Sequence, residues 1–269
     1  MPINVCIAGA TGWTGSVVAR HMILSDEFEV VGALARRQAD QDLAQVVGLA
    51  PNGLTIVRTL DEVLATGAKP DVLVDYTNHG SVKARTFEAL DNGIRVVIGT
   101  SGLTAADYVE IDEAATTAGL GVIAAGNFSI TAALAKHFSL LAARHLPSWE
   151  IIDYASAAKV DSPSGTVQEL AETMGEIAQS KLALAIDQTH GPREARGATI
   201  GGAQVHSVRL PSFTIAFETI FGLPDERLTI RHDAGSGAEP YAAGTLLATR
   251  RVMNVTGLTR GLDQLLFGE

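Results

Sequence analysis

Apolar residues gather in short runs separated by stretches with helical spacing. Ile3–Ala8, Glu29–Leu34, Val72–Asp75, Arg95–Ile98 and Gly121–Ala125 read as buried strands. Between most of them, 13–25, 80–92 and 104–118 read as helices. This alternation predicts a parallel sheet with right-handed crossovers. From about residue 149 the rhythm changes. Trp149–Ala157 reads as a strand and Gly165–Gln179 as a helix, and then Ala203–Arg209, Thr214–Phe221 and Arg227–His232 follow as strands joined by short turns. Such strands predict a mixed or antiparallel sheet, hence a second domain. Tyr241–Met253 reads as a closing helix that returns to the first domain. The expected division is 1–127, completed by 238–269, and 128–237.

Composition narrows the class. The 269 residues suffice for two domains, and 46% apolar residues supply a real core. Thirty Asp and Glu against 20 Lys and Arg leave a net charge of −10, which argues against nucleic acid or an anionic membrane as the main partner. Residues 114–135 carry no charge, but Gly119, Gly121, Gly126, Asn127 and Ser129 interrupt them, so a membrane span is not expected. The first apolar run lacks a preceding basic region, so no signal peptide is expected. Cys6 is the single cysteine and lies inside that run. No intrachain disulfide can form, which fits a cytoplasmic protein, and the thiol reads as a small buried hydrophobe.

The segment Gly9-Ala10-Thr11-Gly12-Trp13-Thr14-Gly15 follows the first strand and opens the first helix. Glycines there permit a tight turn, close backbone approach to a pyrophosphate and close packing of helix on sheet. Its place in an alternating array makes it a dinucleotide signature. The expected fold is therefore α/β: a Rossmann-type parallel-sheet domain plus a smaller α+β mixed-sheet domain. The second strand runs into Ala35-Arg36-Arg37 with no acid at its tip; Asp40 and Asp42 lie further on. Two guanidiniums suit the extra phosphate of NADP, so NADPH is expected in preference to NADH.

The stretch Lys159-Val160-Asp161-Ser162-Pro163-Ser164-Gly165-Thr166 sets a cation, hydroxyls and free N–H groups at a helix start, a ready carboxylate site. Thr166 and Glu169 have capping-box spacing, and Val167, Leu170, Ala171 and Met174 continue an apolar face. Competing chemistries fit poorly. Tyr154 and Lys159 sit on a strand and its following loop, not on the one helix that a short-chain dehydrogenase needs. Cys6 cannot serve as a nucleophile. His137 and His145 on a helix, with His190, His206 and His232 scattered, form no metal set. Direct hydride transfer to an unsaturated group remains.

The chain resembles the 4-hydroxy-tetrahydrodipicolinate (dihydrodipicolinate) reductase family over nearly its full length. The resemblance rests on Gly9–Gly15, Asp75-Tyr76-Thr77, Gly99-Thr100-Ser101-Gly102-Leu103, Asn127-Phe128-Ser129, Lys159–Thr166, Val205–Pro211 and Leu228–Asp233. It implies NAD(P)H as cofactor, a cyclic imine dicarboxylate as substrate and a homotetramer built by the second domain. It implies cofactor contacts from Gly9, Thr11, Gly12, Trp13, Thr14, Gly15, Arg36, Arg37, Tyr76 and Thr77. Gly99, Thr100, Ala125, Asn127 and Phe128 would flank the nicotinamide, with Thr100 also facing substrate. Lys159, Ser164, Gly165 and Thr166 would hold a substrate carboxylate. The chain departs from the family where two adjacent histidines precede the lysine, one of them the proton donor: Ala155 and Ser156 stand there. Gly235-Ser236-Gly237 replaces an expected basic residue, and Ala216 or Phe217 replaces a histidine before Glu218. The expected pocket is less cationic than the family's. Lys159, Tyr154 or an imine already protonated in water are the candidate proton sources.

Overall fold

A computed structural model describes residues 1–212 and 215–268. Thr214, the expected start of one strand, lies outside the described residues. The chain forms two compact units, Met1–Ile130 with Ala238–Glu269, and Thr131–Gly237.

In chain order the first unit contains β1 (Ile3–Ala8), α1 (Trp13–Ile23), β2 (Phe28–Leu34), the short helices α2 (Leu43–Val46) and α3 (Leu60–Ala65), β3 (Val72–Asp75), α4 (His79–Asp91), β4 (Arg95–Ile98), α5 (Ala105–Ala118) and β5 (Gly121–Ala124). The second holds α6 (Ile130–Ala143, from Thr131 onward), β6 (Trp149–Ala155), α7 (Gly165–Ile177), β7 (Ala198–Ile200), β8 (Ala203–Arg209), β9 (Ile215–Leu223) and β10 (Glu226–Ala234). The chain returns to the first unit with α8 (Glu239–Arg251), β11 (Gly257–Arg260) and α9 (Leu262–Phe267).

The first sheet is parallel, in the order β11-β5-β4-β3-β1-β2. Helices cover it, so β3 and β5 are buried at every position, as continuous apolar runs demand. Strand order reverses at β1, which pairs with β2 on one side and β3 on the other. That reversal opens a crevice beyond the carboxyl ends of β1 and β3. β11 was not expected: it adds to the far edge beside β5.

The second sheet runs β10-β9-β6-β8-β7, with β6 and β8 parallel and the other pairs antiparallel. On β6, Trp149, Ile151, Asp153 and Ala155 are buried and alternate with partly exposed Glu150, Ile152 and Tyr154. The buried face packs under α6 and α7 through Ala132, Ala135, Val167, Leu170 and Met174. The expected strand 149–157 stops at Ala155, α7 stops at Ile177 rather than Gln179, and His145 lies past the end of α6.

Candidate active site

The crevice is shaped first by backbone. Gly9 takes φ +80°, and a β-carbon there would lie 2.3 Å from the Tyr76 carbonyl oxygen. A β-carbon on Gly15 would lie 2.1 Å from the Gly9 carbonyl oxygen. Both glycines are demanded by packing alone. Gly12 differs: it is the extended N-cap of α1 (φ −76°, ψ 172°), and a β-carbon would meet the Gly9 oxygen at 3.1 Å. No side chain caps α1, and its first turn holds no acid. The N–H groups at this helix start are left for an anion.

A cavity of about 880 Å³ opens in front of them. Thr11 and Gly12 line one side, Arg36, Arg37 and Arg58 another, and Tyr76, Thr77, Ser81 and Arg85 a third. Its lining includes four arginines and no acid. Arg36 and Arg37 are exposed, with no hydrogen-bond or ion-pair partner among the described residues. Asp40 and Asp42 do not line it. Asp40 accepts from Arg58 at 3.1 Å, and Asp42 caps α2 and accepts from the Asn52 and Gly53 N–H groups.

Below the cavity, the buried Asp75 ties three segments together. Its Oδ1 accepts from the Thr77 N–H (2.9 Å), the Thr77 hydroxyl (2.6 Å) and the Thr100 hydroxyl (2.8 Å). Its Oδ2 accepts from Arg85 Nη1 at 2.7 Å, and Arg85 also donates to Thr77 Oγ1 at 2.9 Å. Thr100 Oγ1 accepts from the Thr77 N–H at 2.8 Å. The Thr100 hydroxyl is thus held by Asp75 and Thr77. The Tyr76 hydroxyl is 2.6 Å from Thr245 Oγ1 of α8, and burial pushes its pKa up. A β-carbon on Gly99 would strike the Tyr76 ring at 2.1 Å, and Phe128 packs edge-on to that ring at 6.1 Å. Asn127 Oδ1 accepts from the Ser129 N–H at 2.8 Å, and Ala125 is buried. Trp13 turns its indole toward Tyr241, 5.8 Å between centroids. Trp13, Thr14, Gly99, Thr100, Ala125, Asn127 and Phe128 do not line this cavity.

In the second unit, α7 begins at Gly165 and its cap is Ser164, whose hydroxyl accepts from the Val167 N–H at 3.4 Å. Thr166 therefore sits inside the first turn and does not form the expected capping box; Glu169 accepts instead from Lys136 at 2.7 Å. The Ser164 hydroxyl donates to the buried Asp153 Oδ1 and the Ser164 N–H donates to Asp153 Oδ2, each at 2.8 Å. Arg209 Nη2 donates to Asp153 Oδ2 at 2.7 Å and to the Asp161 carbonyl at 2.9 Å. At 5% exposure, Ser164 anchors the helix start, with its hydroxyl and its N–H both engaged by Asp153. Gly165 is exposed and Thr166 half-buried, and nothing stands within 4 Å of where a Gly165 β-carbon would be.

Lys159 Nζ pairs with Asp161 Oδ1 at 2.9 Å, and this partner pulls the Asp161 carboxyl below its ordinary pKa. The ammonium thus has an anionic neighbour. The Tyr154 hydroxyl donates to Glu218 Oε1 at 2.7 Å; burial first, then Glu218, raises its pKa, and Arg231 lies over the ring at 4.9 Å. Such a phenol is a weak acid. Burial pushes the Cys6 thiol up to about 12, so it is inert. No cluster of three or more His, Cys, Asp or Glu suited to a metal occurs among the described residues.

Two family models cover this architecture: dihydrodipicolinate reductase N-terminus over residues 3–128 and C-terminus over 128–266. The chain belongs to the dihydrodipicolinate reductase family. The 4-hydroxy-tetrahydrodipicolinate reductase of Moorella thermoacetica is 38% identical, over 98% of each chain. That of Geobacillus thermodenitrificans is 37% identical, over 99% of this chain and all of its own. A dihydrodipicolinate reductase from a Paenisporosarcina species, solved with dipicolinate bound, superposes with a TM-score of 0.84 at 30% identity over 98% of this chain and 100% of that one. An amine dehydrogenase from Mycobacterium smegmatis shares the fold, with a TM-score of 0.66 at 15% identity over 98% of this chain and 96% of its own.

Membership makes the protein an NAD(P)H-dependent reductase of this type. Arg58, Arg85, Asp153, Arg209 and Thr245 were not singled out by the sequence reading as functional residues. Asp153 carried a signal, being an acid at an inward position of an alternating strand. Arg209 lay within the family-like segment Val205–Pro211, while Arg58, Arg85 and Thr245 gave no signal, since their places are made by tertiary contacts.

Proposed function

We propose that the protein reduces the C=N bond of a cyclic imino acid, with hydride from NAD(P)H. The observation that carries this reading is the open start of α7, where Gly165 is exposed and Thr166 half-buried, six and seven residues after Lys159, on a scaffold fixed by Asp153 and Arg209. N–H groups at a helix start and an adjacent ammonium suit a carboxylate. In the first unit, the cradle at Gly12, which a β-carbon would fill, fits a pyrophosphate, and Arg36 and Arg37 fit the 2′-phosphate of NADPH.

When bound, the nicotinamide supplies the hydride. The chain's own residues orient and neutralise. Lys159, with the Gly165 and Thr166 N–H groups, holds the carboxylate and fixes the plane of the C=N bond. Lys159 is anchor first and proton source to the imine nitrogen second; an imine protonated in water needs no enzymic acid. Ala155 and Ser156 bring no imidazole to the end of β6, which favours a second reading in which the preferred substrate is a different carboxylate-bearing imine.

We further assign a homotetramer to the second unit. Its edge strand β10 is largely exposed and presents Leu228 at 45% exposure, an edge a partner subunit would cover. Light scattering checks this. With no intrachain disulfide available, the reducing cytosol is its expected location. No helix among the described residues is long and apolar enough to cross a membrane.

The deciding experiment mixes purified protein and NADPH or NADH with a panel of cyclic imino acids and follows absorbance at 340 nm. Turnover of 4-hydroxy-tetrahydrodipicolinate establishes the first reading, and turnover only of another imine the second. Cofactor binding with no turnover on any imine refutes both.

A further inference from the structure

We propose that Arg58 is a specificity-determining residue for NADPH: a third guanidinium, delivered by the segment between α2 and α3 and aimed by Asp40, that binds the 2′-phosphate with Arg36 and Arg37. The proposal rests on the dinucleotide-reductase reading above and deepens it.

The placement of Arg58 comes from backbone. Residues 55–57 run alongside the end of β2, with Val57 bridged to Leu34. The Val57 N–H donates to the Ala33 carbonyl at 2.9 Å, and the Ala35 N–H returns to the Val57 carbonyl at 3.0 Å. On the other side the Asp40 N–H donates to the Ile56 carbonyl at 2.8 Å and the Ile56 N–H to the Gln41 carbonyl at 2.9 Å, with Ile56 wholly buried between. The strand tip bearing Arg36 and Arg37 and the segment bearing Arg58 are thus stitched together, and all three arginines line one cavity.

Asp40 does two things at once. Its carboxylate accepts from Arg58 Nη2 at 3.1 Å, which leaves the guanidinium's other N–H groups for a ligand. It is also an acid near the tip of β2, the position from which an acid binds a ribose diol, and its engagement with Arg58 takes it out of that role. Asp42 is withdrawn as well, into the cap of α2. Stability does not explain the pair: the side chains are 55% and 75% exposed, where ion pairs contribute little. A cavity wall with three guanidiniums and no carboxylate matches a phosphate monoester and offers nothing to a bare 2′-hydroxyl.

The test measures the dissociation constants of NADPH and NADH for the full-length wild type, Arg58→Ala and Arg58→Gln by fluorescence titration, with thermal melts confirming the fold. Wild type is expected to bind NADPH more tightly. Both variants are expected to weaken NADPH about tenfold or more while NADH stays within about twofold, the loss of one charge-assisted contact. Equal weakening of both cofactors, or an unchanged NADPH constant, overturns the proposal, as does wild type without preference. Glutamine behaving as wild type while alanine fails also overturns it, since charge is then not the agent. A protein that binds neither dinucleotide instead fails the reductase reading itself.

Discussion

Replacing Gly12 by valine separates a binding role of the glycine turn from a packing role. The position is extended, with φ −76° and ψ 172°, a conformation any residue adopts. An added β-carbon is crowded by the Gly9 oxygen at 3.1 Å, which a shift of a few tenths of an ångström relieves, and otherwise makes an ordinary contact with the Tyr76 oxygen at 3.9 Å. Loss of a glycine also stiffens the unfolded chain, worth about 0.4–1 kcal/mol in the protein's favour. Net stability should change by less than about 1 kcal/mol. Binding should not survive. The branched side chain would occupy the wall where a pyrophosphate must approach the first N–H groups of α1. Two charge-assisted hydrogen bonds at about 1.5–3 kcal/mol each amount to about 3–6 kcal/mol, or roughly a hundred- to ten-thousandfold in Kd. Gly15→Ala is the contrast: its β-carbon would lie 2.1 Å from backbone oxygen, so stability should fall by about 1–3 kcal/mol or more. Calorimetric titration with NADPH and urea unfolding of both variants decide the matter. If folded Gly12→Val binds NADPH within about threefold of wild type, the turn is a packing element and the cradle argument is wrong.

Lys159→Met should raise KM for an active imino acid about ten- to hundredfold and leave kcat nearly intact, the mark of an anchor; a fall in kcat with loss of a titration from its pH profile would make the lysine the acid. Asp153→Asn should destabilise the protein by about 3 kcal/mol in urea unfolding, because it leaves Arg209 and the Ser164 N–H facing an amide, and an unchanged midpoint would remove Asp153 as the anchor of α7. Lys83 first, then Thr104, hold the Asp107 carboxyl down at about 2, so its contribution is complete above the ordinary carboxylate value near 3.9 and is lost as pH falls from there toward 2. Thermal melts of wild type and Asp107→Asn should therefore converge over that window, and a gap constant down to pH 2 would contradict the assignment.

What the sequence disclosed depended on whether the information was local. The strands β1 to β5 and the helices α1, α4, α5 and α8 have apolar runs and spacings that carry their own signal, and Gly9, Gly12 and Gly15 announce the turn. β11 has no such signal: Gly257–Arg260 becomes a strand only because β5 offers it an edge. β7, three residues long, depends on β8 in the same way. The cap of α7 was misplaced because Thr166 and Glu169 satisfy a spacing rule, whereas the buried Asp153 grips Ser164 and starts the helix at Gly165. Arg58 and Arg85 could not be read at all. Their side chains are placed by Asp40 and Asp75, and no periodicity links those pairs.

On the proposed reading, the two helix starts are one device tuned to two charges. At α1 no side chain consumes an N–H group, no acid intrudes, and arginines line the cavity in front. That arrangement suits a ligand with several negative charges that needs both donors and cations. At α7 the Ser164 hydroxyl takes the Val167 N–H, and Asp153 with Arg209 locks the cap in place. Fewer donors remain, and the nearby ammonium of Lys159 is already half-answered by Asp161. The site can balance about one negative charge without leaving a strong surplus, which is the requirement of a single carboxylate. It follows that Asp161→Asn should tighten binding of carboxylate ligands, by freeing the ammonium, while leaving the dinucleotide constants untouched. Weaker carboxylate binding in that variant would mean that Asp161 positions Lys159 more than it competes for it.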